Sequence, residues 1–329
     1  MLRRTTSRVV VIGGSGHIGS YLIPLLVERA YHVINVSRGT ASPYHPHLAW
    51  KQVEQVKIDR KAEEAEGKFG SRIAELRPDI VVDLITYELD SAKQLVEALK
   101  GKVEHYLFCS TLWVYGHLTT VPATEVEPTN AIDDYGRKKA EIEAFLMNLA
   151  RRGAFPATSF RPGHIVGEGW APINPQGNLN TGVFSTIARG DELALPNLGL
   201  EMLHHVHADD VARWILCAID HRAASIGECF NNVSAQSLTM RGYAEAMFRY
   251  FNKQPRLSYL PLEKWHPDLT DDDVTTTRNH TTHSPCASIE KSRRELGYTP
   301  RYTSLEAIQE SVRALIKSGK VTVPEPEQG

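Results

Sequence analysis

Residues 9–19 read Val-Val-Val-Ile-Gly-Gly-Ser-Gly-His-Ile-Gly, a short apolar run that ends in glycines at 13, 16 and 19 where a helix-like stretch begins. A strand, a turn of bare backbone and a helix must therefore follow one another at the start of the chain. Gly13 allows the sharp turn, Gly16 lets a pyrophosphate lie against the backbone, and Gly19 lets the helix over 19–28 pack on the strand. N–H groups left free at the helix N-terminus face the phosphates, and Ser15, His17 and Ile18 stand in the same turn. The predicted feature is a nucleotide pocket.

In such a pocket the adenosine ribose is met at the end of the next strand, about 20 residues past the glycines. Residues 32–39, His-Val-Ile-Asn-Val-Ser-Arg-Gly, supply that strand, and Ser37 and Arg38 end it in place of Asp or Glu. A carboxylate there would bind a free 2′-hydroxyl and repel a 2′-phosphate, whereas an arginine fork pairs with that phosphate. NADP is thus the favoured cofactor; NAD stays open if Arg38 is instead a solvated residue stacked on the adenine.

Composition narrows the partners. At 329 residues, 42% hydrophobic and 23% charged, the chain has the makeup of an ordinary soluble globule with a sizeable core. A formal charge of −2 offers no strong attraction for nucleic acid or an anionic membrane, and no apolar run reaches the roughly 18 residues of a membrane span. The basic start, with Arg3, Arg4 and Arg8, leads into a short, glycine-broken apolar run that reads as a core strand and not as a leader. Cysteines at 109, 217, 229 and 286 have no paired spacing, which suits a reducing compartment, and cytoplasm is the expected location. His280, His283 and Cys286 are spaced like ligands, but residues 275–285 are polar and lack tightly paired cysteines. They read as a surface or pocket loop, and no metal is expected.

Strand-like and helix-like stretches alternate over 9–12, 20–28, 32–36, 55–58, 69–76, 80–84, 91–99, 105–109, 135–150 and 157–161, which implies a parallel sheet covered on both faces. The helix over 134–150 carries Ile142, Phe145, Leu146 and Leu149 on one side, with Asp133 or Asp134 to cap it. After Arg161 glycine and proline become frequent, and a second region begins. Helices are expected over 209–219, 238–250 and 304–318, the last with Leu305, Ile308, Val312 and Leu315 inward. A strand over 228–233 returns to the sheet, a long polar loop precedes residue 304, and 323–329 is a disordered tail. The expected fold is α/β: a Rossmann doubly wound parallel sheet over 1–165, rejoined by elements around 205–233, with a smaller C-terminal substrate-binding region over 166–322.

Tyr135 and Lys139 lie four apart and so share one helix face. A phenol with a pKa of about 10 is a poor base at neutral pH; a lysine ammonium one turn away, with an oxidised nicotinamide, stabilises phenolate and lowers that pKa. Lys139 also reaches toward a nicotinamide ribose, whereas Lys138 is out of register and reads as a solvated charge. Upstream, residues 109–116, Cys-Ser-Thr-Leu-Trp-Val-Tyr-Gly, stand at the carboxyl end of a strand, where open α/β sheets bind ligands. A hydroxyl there would orient a substrate oxygen toward Tyr135.

The motifs Gly13-x-x-Gly16-x-x-Gly19, Ser110-Thr111-x-x-Val114-Tyr115-Gly116, Tyr135-x-x-x-Lys139, Arg161-Pro162-Gly163-x-Ile165-x-Gly167 and Val206-His207-x-Asp209-Asp210-Val211-Ala212 occur in this order. With them the chain resembles the extended short-chain dehydrogenase/reductase family, NAD(P)-dependent epimerase/dehydratase type, over nearly its whole length. The resemblance implies Thr111, Tyr135 and Lys139 as catalytic, with Ser110 beside them. It further implies that Asp59 and Arg60 contact adenine, that Leu84, Ile85 and Thr86 line the cofactor, and that Pro162, Gly163 and His164 lie near the nicotinamide. Residues 35–39 and 79–87 also resemble a branch that includes chloroplast stem-loop-binding proteins.

Departures from the family pattern narrow the reaction. Sugar-nucleotide dehydratases carry Asp-Glu directly after the threonine; Leu112 and Trp113 stand here, so dehydration is not expected. The phosphate-binding arginine that epimerases place four residues before His207 is Leu203, while Arg278 matches a second such arginine in spacing. Trp113, His164 and Arg278 are the expected substrate-binding residues. The expected function is hydride transfer at a secondary alcohol or ketone of a small molecule, a nucleotide sugar being one candidate, by a reductase or dehydrogenase or by an epimerase. Helices around Tyr135 could pair two copies as a homodimer. The alternative is a cofactor-sensing or RNA-binding protein on the same fold, against which the intact Tyr-x-x-x-Lys and near-neutral charge count.

Overall fold

The computed structural model describes residues 6–265 and 269–324; Arg3, Arg4 and the expected tail from residue 325 onward lie outside them. Strand and helix alternate first through β1 (Arg8–Ile12), α1 (His17–Glu28), β2 (His32–Ser37), β3 (Glu54–Lys57), α2 (Arg60–Ala65), α3 (Phe69–Glu75), β4 (Ile80–Asp83), α4 (Leu89–Leu99), β5 (His105–Cys109), α5 (Asp134–Arg151) and β6 (Ala157–Pro162). Then come β7 (His164–Val166), α6 (Gly182–Arg189), β8 (Leu193–Pro196), β9 (Met202–Leu203), β10 (His205–His207), α7 (Ala208–Asp220), α8 (Arg222–Ser225) and β11 (Cys229–Asn232). The chain continues through β12 (Leu238–Thr239), α9 (Met240–Tyr250), β13 (Leu257–Leu260), α10 (Asp271–His283), α11 (Glu290–Leu296) and α12 (Ser304–Lys317).

Seven parallel strands form the central sheet in the order β11-β6-β5-β4-β1-β2-β3. The direction of build-up reverses between β1 and β4, the crevice in which doubly wound sheets bind ligands. Alternate strand residues feed opposite cores: Val9, Val11, Val82 and Phe160 pack with Leu22 of α1 and Trp214 of α7, and Val10, Ile12, Val81 and Phe108 with Phe69, Leu95 and Ile142. Burial on both faces is why these strands read as unbroken apolar runs. A third core, with Phe184, Leu195, Met247, Phe248 and Ile308, holds α6, β8, α9 and α12 together beside the sheet. Among the described residues no helix is long and apolar enough to cross a membrane.

The polar stretch before residue 304 departs from expectation, since it holds β13, α10 and α11 and is not one long loop. In α10 the ends carry ordinary helix signals. The Thr270 hydroxyl caps the Asp273 N–H, three aspartates fill the first turn, and His280 and His283 stand in the last. The middle, Val-Thr-Thr-Thr-Arg-Asn, has no apolar stripe, which hid the helix. On α5, Asp133 is the cap, and the buried face runs through Lys139, Ile142, Glu143, Leu146 and Met147, with Phe145 and Leu149 only partly covered.

Candidate active site

The glycine turn builds the floor of a groove. Gly13 turns with φ at +86°, and a Cβ on it would lie 2.8 Å from the Ile85 side chain. Gly16 begins α1, whose N-terminus no side chain caps, so its N–H groups are available to a phosphate. The third glycine acts differently from expectation: a Cβ on Gly19 would lie 2.1 Å from the Gly14 carbonyl oxygen, so it seats the helix on the turn itself, not on the strand. A cavity of about 560 Å³ on one side is bordered by Ser15, Arg38 and Asp59. Another of about 470 Å³ is bordered by Thr111, Tyr135 and Lys139. Both share Gly13, Gly16, Ile85 and Tyr87 in their walls, so they meet across the bare turn. A dinucleotide fits this layout, with its adenosine in the first cavity, its diphosphate over the glycines and its nicotinamide in the second.

In the first cavity Arg38 is exposed at the rim and has no carboxylate partner among the described residues. Asp59 lines the wall while its side chain caps α2 through the Ala62 N–H. Arg60 and Thr86 are used otherwise than expected. Arg60 is buried, with Nη1 donating to Asp83 at 2.9 Å and Nε to Glu64 at 2.6 Å, and its guanidinium lies over the Phe69 ring. Thr86, fully buried, donates to the same Asp83 carboxylate, as does the Tyr106 hydroxyl at 2.9 Å. Burial would raise the Asp83 carboxyl, but the Arg60 charge and these donors hold it below its ordinary value. A buried carboxylate at the end of β4 engages both side chains; Arg60 still borders the first cavity, whereas Thr86 borders neither.

In the second cavity α5 presents Tyr135 and Lys139 on one face, and Thr111 follows β5. Although 41% of Tyr135 is exposed at the cavity, desolvation of its hydroxyl pushes the phenol up, and the neighbouring Thr111 hydroxyl partly opposes this. The Lys139 ammonium donates to the Cys109 carbonyl at 2.7 Å and lies 4.5 Å from the centre of the Tyr87 ring but 5.9 Å from that of Tyr135. The depression of the phenol expected of Lys139 calls for an oxidised nicotinamide beside the pair; the ammonium itself is held on the Cys109 carbonyl. Burial lowers Lys139 itself. Behind them Glu143 accepts from Ser159 at 2.6 Å and from Arg161, a buried ion pair that fixes α5 against β6.

Pro162, Gly163 and His164 complete this wall, with Leu84 and Ile85 opposite. Trp113 stacks on His283 at 4.0 Å between centroids, and His283 Nε2 donates at 2.8 Å to Asp133, the cap of α5. His17 stacks on Trp170 at 3.7 Å, and burial lowers it to about 4. Arg278 is not brought to the site: α10 buries Thr277, His280 and Thr281 and leaves Arg278 exposed on its outer side.

A family model described as NAD dependent epimerase/dehydratase matches residues 9–231. The chain belongs to that family. A chloroplast stem-loop binding protein of 41 kDa b from Arabidopsis thaliana is 26% identical over 92% of this chain and 78% of its own length. A UDP-glucose 4-epimerase from Corynebacterium glutamicum is 26% identical over 93% of this chain and 95% of its own. The solved structure of a Thermotoga maritima UDP-glucose 4-epimerase with UDP-glucose superposes with a TM-score of 0.71 at 22% identity, covering 94% of this chain and 99% of that one. At that identity the superposition speaks for the fold. The family is enzymatic and NAD-dependent, in line with the dinucleotide groove.

Within this epimerase/dehydratase frame, sequence reasoning missed Tyr87 and Trp170, and it read His280 and His283 as a surface or pocket loop where they stand on the inner face of α10. Tyr87 follows β4 and borders both cavities. His280 stands 4.7 Å from His164, centroid to centroid. A polar stripe at 277, 280 and 281 would have signalled a helix face turned inward, had hydroxyl and imidazole residues been counted with apolar ones.

Proposed function

We propose that this chain transfers hydride between NADP(H) and a secondary alcohol or its ketone on a small molecule, working as a reductase or dehydrogenase. One observation carries the reading: Thr111, Tyr135 and Lys139 border the same cavity as the bare glycine turn. A bound nicotinamide would supply the carbon that gives or takes the hydride. In reduction the Tyr135 phenol donates its proton to the substrate oxygen as the carbon gains hydride; in oxidation the phenolate takes it back. The Thr111 hydroxyl orients the oxygen, and Lys139, anchored on Cys109, stands where it can bind a ribose hydroxyl.

Arg38, free at the rim of the adenosine cavity, supports NADP over NAD through charge-assisted bonds to a 2′-phosphate. An epimerase on the same site would oxidise and re-reduce one carbon with no net change in cofactor. Titration of the purified protein with NADP and NAD, followed by turnover on a carbonyl panel, tests the reading. The expected result is preferred NADP binding that Arg38→Ala removes, with net NADPH consumption. Retained NAD with redox-neutral turnover would make the chain an epimerase instead.

A further inference from the structure

We infer, resting on the oxidoreductase reading above, that the substrate is uncharged and carries no phosphate: a small hydroxyl-bearing ketone or secondary alcohol, not a nucleotide sugar. A diphosphate brought into a half-closed pocket loses water and needs cationic donors in exchange. Among the described residues bordering the 470 Å³ cavity the one Lys or Arg is Lys139, and its ammonium is turned onto the Cys109 carbonyl. Between Arg161 and Arg213 the sequence holds a single Lys or Arg, Arg189. Arg189 is half-exposed and paired with Asp191 at 2.6 Å. Arg161 is buried against Glu143, Arg278 faces outward, and Leu203 is sealed in the third core.

What borders the cavity instead suits neutral hydroxyls and a flat ring. Trp113, Trp170, Ile173 and Leu179 offer apolar faces, and His164 stands among them. The His164 Nε2 atom is buried with no protein partner, so it is left to donate to or accept from a ligand hydroxyl. His205 and His280 back it at 5.4 and 4.7 Å between centroids. Burial keeps all three imidazoles uncharged at neutral pH, so the wall offers hydrogen bonds but no cation.

The test uses the full-length protein loaded with dinucleotide, whose uptake is read separately by cofactor fluorescence. UDP and UDP-glucose are titrated calorimetrically, and a panel of free hexoses, hexuloses and inositols is assayed by NADPH absorbance. Wild type is expected to show no saturable UDP binding below about 1 mM and to turn over a member of the neutral panel. Leu179→Arg, at a rim position 53% exposed, is expected to gain UDP affinity by about tenfold or more. His164→Leu is expected to raise KM for that neutral substrate with dinucleotide affinity unchanged. Saturable binding of UDP or UDP-glucose to wild type below about 1 mM overturns the inference, and no gain in Leu179→Arg overturns its electrostatic cause. If the loaded protein turns over only UDP-glucose, the substrate class is wrong and the oxidoreductase reading stands. If it takes up no dinucleotide, that reading falls and this one with it.

Discussion

The sheet side of the groove and the wall opposite bury their polar groups in different ways. Beneath the cofactor groove the buried charges are paired, Asp83 with Arg60 and Glu143 with Arg161, each carboxylate further bonded to hydroxyls. In the wall contributed by β7, β9–β10 and α10 the buried polar groups are imidazoles and hydroxyls, with no buried ion pair of two charged side chains among the described residues like those beneath the groove. His204 Nε2 donates to the Ser234 carbonyl at 3.0 Å while its Nδ1 accepts from the Ala287 N–H at 3.2 Å, and His205 Nε2 donates to the Ile173 carbonyl at 3.0 Å. Paired ions lock elements rigidly and punish loss of either partner. Neutral imidazoles satisfy backbone groups without placing a charge beside the ligand, which leaves the outer pocket shaped for hydrogen bonds alone.

The largest effect is expected where the two walls meet. Tyr135→Phe should lower kcat/KM by about 10²- to 10⁴-fold with dinucleotide affinity retained, as measured by NADPH turnover and cofactor fluorescence. Unchanged turnover would remove the phenol from the chemistry. Asp83→Asn should cost about 3–5 kcal/mol in urea unfolding because Arg60 stays buried with its main partner neutralised. A loss below about 1 kcal/mol, the size expected of an exposed pair, would erase the contrast between the walls.

Acid sharpens the comparison. Burial depresses His204 and His280 from 6.5 to about 4, so the unfolded chain binds protons that the folded chain refuses. Their contribution is full above pH 6.5 and is lost as pH falls toward about 4, by up to about 1.4 kcal/mol per pH unit for each imidazole. Asp83 and Glu143, held below the ordinary carboxylate range, contribute stability that is lost only at more acid pH, as it falls through their depressed values. Melting temperature should therefore fall between pH 6.5 and 5, and His204→Gln should flatten that slope; an unaltered slope would show that the wall does not titrate as a buried unit. The smallest effect falls at the groove's far end, where Arg38→Ala should weaken NADP binding by about tenfold and leave NAD untouched, as read by competitive titration.

Local features of this site were legible along the chain. The glycine turn, an aspartate cap on α5 and the shared face of Tyr135 and Lys139 each depend on a few neighbouring residues and on helix or strand period; the structure has all three, choosing Asp133 over Asp134 as the cap and seating Gly19 on the turn. The seven-stranded parallel sheet followed from alternation, with the return of β11 to its edge. Thr86 and Arg278 stand away from both cavities for one reason: spacing to a motif says nothing about which competitor a side chain meets. Asp83 captured the first, and the phase of α10 turned the second away.

Sequence alone determined the class of fold, the position of the phosphate turn and the face of α5 that meets it, because these rest on local backbone geometry and on the period of burial. The tertiary structure alone decided what surrounds Tyr135. His283 reaches Asp133 and Trp113 from far along the chain, and His164 meets His280. Such contacts are set by how α10 packs against distant segments, as where Asn178 Nδ2 donates to Thr277 Oγ1 at 3.0 Å, and no local pattern encodes a packing angle.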